Sequence, residues 1–231
     1  MSRDQEHALE VRLAVAAAGT VVLLVPFAVL AAMVVGDVDW LHRIDQDVSV
    51  TVHDYAVTRP GLVDFMAAWC LAFDPWVWRL GALALVVWLV RRGARPLAWW
   101  VAITMAAGGL LGVVLKLLFE RHRPSFLDPV ASAVGYSFPS GHALNNALGA
   151  AVFVLALLPL VRHRPRARLA LLIAGVVIPA VTGAFRVGLG VHYVSDVVGG
   201  WIFGLAVVAA TTTAFLARRR RRATLAAAMA E

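Results

Sequence analysis

Cysteine and lysine are nearly absent from this sequence, and charged residues of any kind are scarce. Cys70 is the only cysteine among 231 residues, which excludes an internal disulfide and a cysteine-rich metal site. Charged residues make up 15% of the chain and hydrophobic residues 61%, whereas soluble domains carry about a quarter charged residues. The sequence therefore predicts an integral membrane protein.

Six apolar runs have lengths suited to crossing a bilayer, the second of them being short. The first, residues 11–35, is too long for the apolar part of a signal peptide and follows an acidic leader, so we interpret it as a retained helix. The other predicted spans are Pro75–Val90, Pro96–Phe119, Gly141–Val161, Leu169–Phe185 and Tyr193–Leu216. The fold class expected is all-α, a six-helix transmembrane bundle in which residues 1–231 form one membrane domain.

A polar stretch, residues 36–74, separates the first two spans and contains seven aspartates but only two arginines. We interpret it as a small extracytoplasmic cap whose aspartates are solvated. Its second half, Gly61–Phe73, is apolar but short, and we expect an interfacial or re-entrant helix that lies over the bundle.

The net charge of +7 is compatible with nucleic-acid binding, but the positions of the charges argue against it. Of the 21 basic residues, 14 flank one set of span ends, and the other set holds seven together with ten of the 14 acids. The positive-inside rule then places both termini in the cytoplasm. The partner expected is the lipid bilayer, and we interpret Arg218–Arg222 as a stop-transfer anchor rather than a lipid-specific site.

Three polar clusters interrupt the apolar sequence between residues 116 and 196, and the predicted topology puts all three on the extracytoplasmic face. The first contains Lys116, the only lysine, and Arg123. A charge at membrane depth costs about 2.5–3.5 kcal/mol, which is usually retained only for function. Seven residues are close to two helical turns, so we expect both cations on one face of a helix end. Arg121 lies off that face, and we expect it to be solvated or paired with lipid headgroups.

The second cluster is Pro139-Ser140-Gly141-His142, at the start of the fourth span. Ser140 suits the N-cap of a long helix, where free N–H groups and the helix dipole attract an anion, and Gly141 allows close approach to the backbone. His142 then lies in the first turn, facing the anion. The alternative is an ordinary capped helix with an interfacial histidine, and the tetrapeptide alone does not decide between them.

The third cluster contains His192 and Asp196, four residues apart on one predicted helix face. An aspartate in that position can bind one ring nitrogen and leave the other free to attack. Arg186 precedes them, and the glycines at 188 and 190 predict a turn that folds it back towards them. A structural His–Asp pair is the alternative, but it does not explain Arg186.

Together the clusters resemble the motifs of the type 2 phosphatidic acid phosphatase superfamily, which are Lys-x6-Arg-Pro, Pro-Ser-Gly-His and Ser-Arg-x5-His-x3-Asp. The resemblance covers roughly residues 61–216 and is specific, because a chance match at all these positions is very improbable. One position departs from it: Phe185 stands where the family has a serine, which removes a hydroxyl that can orient Arg186.

The resemblance implies a lipid phosphatase that forms a phosphohistidine intermediate. In that reading His192 attacks phosphorus with the support of Asp196, and His142 first protonates the leaving oxygen and then activates water. The implied phosphate-binding residues are Lys116, Arg123, Ser140, Gly141 and Arg186. Neither a metal nor another cofactor is expected, because the three cationic side chains stabilise the charge on the phosphate, as a metal ion often does elsewhere. Undecaprenyl pyrophosphate, phosphatidic acid and phosphatidylglycerophosphate are the expected substrates, and for a bacterial chain undecaprenyl pyrophosphate is slightly preferred because its pyrophosphate is exposed on the outer face.

Other interpretations remain at this point. A lipid phosphotransferase would use the same intermediate, with an alcohol in place of water. A transporter would need charges at mid-bilayer and an internal repeat, neither of which the sequence shows. Gly108 and Gly112 favour close helix packing, within the chain more than between chains. Asn146 either supports His142 or, as the default, forms an interhelical hydrogen bond.

Overall fold

The computed structural model describes residues 3–229, and within this range every regular element is helical. The helices are α1 (Arg3–Val35), α2 (Asp39–Val57), α3 (Pro60–Ala72), α4 (Pro75–Arg91), α5 (Arg95–Phe119), α6 (Gly141–Leu157), α7 (Pro165–Gly188) and α8 (Val194–Ala228), with a 3₁₀ turn, Leu158–Val161, after α6. Six segments are long and apolar enough to cross a membrane, with α3 and α4 together forming one of them. The prediction of an all-α six-span bundle is confirmed.

Helix α6 is the central helix of the bundle. Half of its most apolar stretch is buried, whereas the corresponding fraction in the other five spans lies between 11% and 33%. It packs against α4, α5, α7 and α8, and its side chains Leu144, Leu148 and Val152 are almost fully buried. The residues at its start are therefore held on all sides by other helices.

Glycines bring α8 into backbone contact with the start of α6. A Cβ atom at Gly200 would lie 2.8 Å from the carbonyl oxygen of Ser140, and one at Gly204 would lie 2.6 Å from that of Leu144. A side chain at either position would clash, so only glycine permits this approach. The backbone N–H of Ser140 also donates to the carbonyl oxygen of Asp196 over 2.9 Å. The starts of α6 and α8, which carry two of the three clusters, are thus fixed side by side.

The glycine pair at Gly108 and Gly112 acts within the chain. A Cβ at Gly108 would lie 2.5 Å from a methyl carbon of Leu148, and one at Gly112 would lie 3.1 Å from a methyl carbon of Leu144. Both glycines therefore admit side chains of α6 against α5. The interpretation as intramolecular packing is confirmed.

The polar stretch at residues 36–74 is helical, and one face of α2 departs from expectation. Five of its seven aspartates are exposed, but Asp45, Ser49 and His53 are almost fully buried at a spacing of four residues. Asp45 turns inwards because Arg121 and Ser195 bind its carboxylate, and Nε2 of His53 lies 3.2 Å from Oδ1 of Asp128. The prediction of a wholly solvated cap is wrong for this face, and the interfacial placement of α3 stays a prediction.

The connection between α5 and α6 has no regular secondary structure but is anchored to its surroundings. Phe138 is fully buried between the rings of Phe27 and Phe119, with centroid separations of 6.0 and 5.2 Å. Further out, the ring of Phe126 stacks on His53 of α2 at 3.7 Å. These contacts give the connection, which carries Arg121 and Arg123, a defined path across the end of the bundle.

The turn predicted from Gly188 and Gly190 is present, but it begins only after Gly188, and Arg186 is still helical. The helix continues through Arg186 to Gly188, and the reversal comes at Leu189 and Gly190, whose φ is +67°. A helix tolerates glycine as its final residue, and the left-handed conformation that ends it falls on Gly190. Arg186 therefore reaches the bundle end from the last turn of a helix.

Candidate active site

The segments that carry the three clusters meet at one end of the bundle, namely the ends of α5 and α7 and the starts of α6 and α8. The Cε atom of Lys116 lies 3.7 Å from the position that a Cβ of Gly141 would take. A guanidinium nitrogen of Arg123 lies 3.0 Å from Nε2 of His192. The structure thus brings together residues that the sequence separates by up to 80 positions.

His192 is held between an acceptor and a donor. It is 2% exposed; its Nδ1 lies 3.3 Å from Oδ2 of Asp196, and its Nε2 lies 3.0 Å from Nη1 of Arg123. A guanidinium can only donate, so Nε2 presents its lone pair and Nδ1 carries the proton. Burial lowers the pKa of His192 to about 3, and the Asp196 carboxylate offsets only part of that effect. At neutral pH the imidazole is uncharged, with a lone pair directed at a cation.

The carboxylate of Asp196 is fully buried and has partners at both oxygens. Its Oδ2 accepts from the Tyr193 backbone N–H at 2.8 Å, from the Ser137 hydroxyl and from His192. Its Oδ1 accepts from Arg121 at 2.7 Å. With these partners the carboxylate is held in one orientation, which in turn orients the ring of His192.

Arg121 is part of this network, and the prediction that it is solvated or lipid-paired is wrong. Its side chain is 16% exposed, and it donates to Asp196, to Ser195 Oγ at 2.6 Å and to Asp45 Oδ2 at 2.8 Å. Burial disfavours its charge, but the two carboxylates outweigh that effect and raise the pKa of Arg121. Helix α5 ends at Phe119, before Arg121, so helical spacing does not apply to this residue.

Asp45 of α2 is a residue that sequence reasoning missed. It is 1% exposed, and its carboxylate accepts from the backbone N–H of Ser195 at 3.0 Å, from the Ser195 hydroxyl and from Arg121. It therefore ties the cap to the start of α8. The sequence does carry a signal for it, because Leu41, Asp45, Ser49 and His53 recur every four residues, as on one helix face.

Lys116 and Arg123 converge on the same carbonyl oxygen, although not through a shared helix face. Lys116 Nζ lies 2.6 Å and Arg123 Nη2 lies 3.1 Å from the oxygen of Tyr136. Glu120 adopts a left-handed conformation with φ +47°, which turns the chain off the helix axis after α5. The expected helical relation is wrong, and the loop achieves the convergence instead. The Lys116 ammonium and the Arg123 guanidinium now donate to backbone carbonyl oxygens, and a bound anion can replace these carbonyls as the acceptor.

A third cation completes the group. Nε of Arg186 is buried and has no hydrogen-bond partner within residues 3–229. Burial lowers the pKa of Arg123, and the positive charge of Arg186 lowers it further. The ring of Phe185, which replaces the family's serine, packs against Phe65 and Trp69 at centroid distances of 5.8 and 6.0 Å. Mutually repelling cations of this kind are stabilised by an anion placed among them.

His142 lies in the first turn of α6, where Ser140 is the N-cap and accepts the Ala143 N–H at 3.4 Å. Its Nε2 lies 3.4 Å from Oδ2 of Asp74, a second partner that sequence reasoning missed. Asp74 is itself the N-cap of α4 and accepts the Trp76 N–H at 2.9 Å. Among the described residues no hydrogen bond joins the two histidines. Each lies beside a different carboxylate, His142 beside Asp74 and His192 beside Asp196.

Asn146 follows His142 by one turn and does not contact its ring. The amide nitrogen donates to the carbonyl oxygens of Phe73 and His142 at 2.8 and 2.9 Å, and the amide oxygen accepts from Thr182 at 3.4 Å. The default prediction, an interhelical hydrogen bond, is confirmed. Asn146 joins α6 to α7 and to the residue that precedes Asp74.

The geometry can be compared with known proteins. The model of the PAP2 superfamily matches residues 97–220, more than half of the chain. Phosphatidylglycerophosphatase B of Bacillus subtilis (strain 168) is 43% identical over 100 residues, which are 42% of this chain and 47% of that protein. The undecaprenyl-diphosphatase of Sulfolobus acidocaldarius is 29% identical over 121 residues, 50% of this chain and 54% of that protein. The chain thus spans about half the length of the curated relatives it matches.

A solved structure extends the similarity to most of the chain. It is the crystal structure described as the first transmembrane PAP2 type phosphatidylglycerolphosphate phosphatase from Bacillus subtilis. The two chains share 28% identity with a TM-score of 0.67, over 83% of this chain and 93% of that one. The resemblance read from the three clusters is confirmed, and so is the transmembrane helical fold.

Proposed function

Because this chain belongs to the PAP2 superfamily, we propose that it is a membrane phosphatase that removes a phosphate group from a lipid phosphate or a lipid pyrophosphate. The observation that carries the proposal is the orientation of His192. Its protonated Nδ1 faces Asp196, and its Nε2 lone pair faces Arg123 at 3.0 Å. A phosphoryl group bound by that guanidinium lies next to the nucleophilic nitrogen.

In the first step, Nε2 of His192 forms a bond to phosphorus as the bond between phosphorus and the leaving oxygen breaks. His142 donates its proton to that oxygen, and the dephosphorylated lipid leaves. Asp196 stabilises the positive charge that develops on the ring of His192, which becomes the phosphohistidine.

In the second step, water attacks phosphorus and the phosphorus–nitrogen bond breaks, so that inorganic phosphate is released. His142, now neutral, takes the proton from the attacking water, and His192 recovers its lone pair. The charge on the phosphoryl oxygens is stabilised in both steps by Lys116, Arg123 and Arg186, with the Ser140 hydroxyl, the backbone N–H of Gly141 and the N-terminus of α6. The backbone N–H of Ser140 is engaged by the Asp196 carbonyl oxygen, so of this residue only the hydroxyl serves the phosphate.

A labelling experiment tests the intermediate. Purified protein in detergent is mixed with p-nitrophenyl [³²P]phosphate, whose leaving group needs little protonation, and quenched in alkali, which preserves phosphohistidine. His142→Asn should accumulate label, because only the second step then needs the missing group, and His192→Ala should acquire none. Label retained by His192→Ala would show that another residue is the nucleophile.

The choice of lipid rests on the relatives. The more similar curated protein, at 43% identity, and the solved structure are both named for phosphatidylglycerophosphate, and the second curated protein is named for undecaprenyl diphosphate. We therefore rank phosphatidylglycerophosphate first, which reverses the order expected from the sequence alone. The site lies at the ends of membrane-spanning helices, which suits a phosphate on a membrane-anchored tail.

Side-by-side kinetics decide the substrate class. We expect kcat/KM for both lipids to exceed that for glycerol 3-phosphate at least about 100-fold, because burial of the lipid tail contributes binding energy. Equal values for the soluble ester would refute the lipid specificity but not the phosphatase activity. Activity should survive EDTA and be inhibited by vanadate, since cations of the chain surround the phosphate; loss on chelation that magnesium restores would refute metal independence.

We also place the site on the extracytoplasmic face with both termini in the cytoplasm, on the strength of the 14 basic residues at the opposite end. Cysteine labelling in a Cys70→Ala background tests this placement. Leu127, which is fully exposed at the site end, should react as Leu127→Cys with a membrane-impermeant maleimide in intact cells. Gly93→Cys, at the other end, should react only after the cells are opened, and the reverse pattern would overturn the orientation.

A further inference from the structure

A groove between α5 and α8 lies at the end of the bundle away from the histidines. Its volume is about 590 Å³. Its rim and wall include the side chains of Arg95, Arg218, Arg222, Trp99, Ile103 and Phe215. Arg95 is 21 residues from Lys116 on the same helix, so the rim is about 30 Å from the proposed active site. The groove is therefore a separate feature.

The charged and apolar parts of the groove lie at different depths. Arg95 is the first residue of α5, at the surface end of the span, and Ile103 lies eight residues, or about 12 Å, deeper. Arg218 and Phe215 have the same order on α8, which runs in the opposite direction. Trp99 and Ile103 are 69% and 52% exposed, so the wall opens sideways towards lipid. A ligand that fits has a polar head and an apolar tail.

The rim attracts an anion. The three arginines share it with the N-terminus of α5, where the N-cap residue, Ala94, has no side chain that can cap the helix. Among the described side chains no carboxylate forms an ion pair with any of these arginines, whereas the neighbouring Arg220 is paired with Glu10 at 2.6 Å. Within the described side chains, the rim therefore carries positive charge that no carboxylate neutralises.

An unsatisfied donor lies further down the groove. Trp100 is 6% exposed and lines the groove, and its indole N–H is buried without a partner within residues 3–229. It is five residues, or about 7.5 Å, from Arg95 along the helix axis. A glycerolipid whose phosphate lies among the arginines has its ester carbonyl oxygens near this depth, and a small rotation of the Trp100 ring would offer its N–H to such an acceptor.

From these four features we propose that the groove binds a phospholipid with an anionic headgroup. The phosphate lies between Arg95, Arg218 and Arg222, and an acyl chain lies along Trp99 and Ile103. Free phosphate would use the rim alone and leave the apolar wall uncovered. The interpretation of the arginine run as a plain anchor then changes, because Arg218 and Arg222, four residues apart, face the groove while their neighbours do not line it.

The arginine run supplies its own matched control. Arg218→Gln/Arg222→Gln and Arg219→Gln/Arg221→Gln remove the same charge from the same helical turns, and only the first pair lines the groove. Each protein is placed in nanodiscs of phosphatidylcholine with or without phosphatidylglycerol, and the melting temperature is measured. Native mass spectrometry counts retained phosphatidylglycerol, and circular dichroism confirms folding.

We expect phosphatidylglycerol to raise the melting temperature of the wild type and of the Arg219/Arg221 variant, and to bind the Arg218/Arg222 variant about 25-fold more weakly, at about fivefold per arginine. Trp100→Phe, which removes only the N–H, should show a smaller loss. Equal losses in both arginine pairs would overturn the site in favour of a diffuse basic tail. Equal binding of phosphatidylcholine would overturn the anionic headgroup, and equal stabilisation by inorganic phosphate would overturn the lipid.

Discussion

The two histidine–aspartate pairs of the site are built differently. His192 and Asp196 lie four residues apart, with side chains 2% and 0% exposed, and every polar atom of the carboxylate is engaged by neighbours. His142 and Asp74 come from different helices, are separated by 3.4 Å, and have side chains 18% and 30% exposed. One pair is enclosed and oriented, and the other is reached by water.

This difference suits the roles proposed for the two histidines. A nucleophile gains from a fixed ring, because its lone pair must meet phosphorus in line with the leaving oxygen. A general acid and base exchanges protons in every cycle and gains from contact with water. Variants of each pair and of its neighbours therefore test whether enclosure of one histidine and hydration of the other determine the two roles.

His192→Ala should produce the largest effect. We expect kcat to fall at least about 1,000-fold with every substrate, because no other group can form the covalent intermediate. His142→Ala should lose comparable steady-state activity on every substrate, because hydrolysis of the shared phosphohistidine needs its base, but it should still release a first-turnover burst of p-nitrophenol, whose leaving group needs little protonation. Steady-state and first-turnover kinetics on folded, monodisperse protein measure both. If His192→Ala kept a tenth of the wild-type kcat, the nucleophile assignment would be wrong.

Arg121→Gln should lower kcat about 100-fold with little change in KM, since it leaves Asp196 and Asp45 as buried carboxylates without a counter-ion and frees the orientation of His192. Asp45→Asn in the same chain should recover part of the loss, because one uncompensated charge disappears. Arg59→Gln, which removes an exposed cation held over the Tyr55 ring, is the control. A change in KM alone would mean that Arg121 contacts substrate instead.

Acid stability should depend on the enclosed pair. The pKa of His192 is about 3 in the folded protein and about 6.5 in an unfolded chain. Between these values the unfolded state binds more protons, so stability falls as the pH is lowered through about 6.5 towards 3. From pH 7 to pH 5 the loss is about 2 kcal/mol. His192→Gln should flatten the dependence of the melting temperature on pH, whereas the exposed loop residue in His122→Gln should not.

The sequence predicted the bundle and the three clusters because both rest on strong local patterns. Apolar runs of span length and cations at their ends leave few alternatives. The wrong predictions for Arg121, Arg123 and Arg186 share a cause, because each of these residues lies where a helix ends. Glu120 turns the chain after α5, which makes helical spacing inapplicable to Arg121 and Arg123, and α7 continues to Gly188, three residues past its predicted end at Phe185.

The sequence also did not predict the carboxylates that distant segments contribute to the site. Asp45 and Asp74 lie in a stretch whose composition is typical of a solvated cap, and only tertiary packing shows that they face Arg121 and His142. A single sequence gives the period of a helix but not what lies against its polar face. Long-range carboxylate partners are therefore visible in the structure and not in the spacing.

Asp74→Asn should have the smallest effect and tests the open pair directly. The amide keeps the N-cap oxygen that accepts the Trp76 N–H, so α4 should remain intact. It removes the negative charge next to Nε2 of His142, and with it the stabilisation of the imidazolium form that donates the proton. We expect kcat on lipid substrates to fall about tenfold and the alkaline limb of the pH–rate profile to move to lower pH. Asp64→Asn, at an exposed aspartate of α3, is the matched control and should leave both unchanged. If Asp74→Asn lowered kcat without moving the alkaline limb, the pair would be structural and the contrast between an enclosed nucleophile and a water-exposed acid would fail.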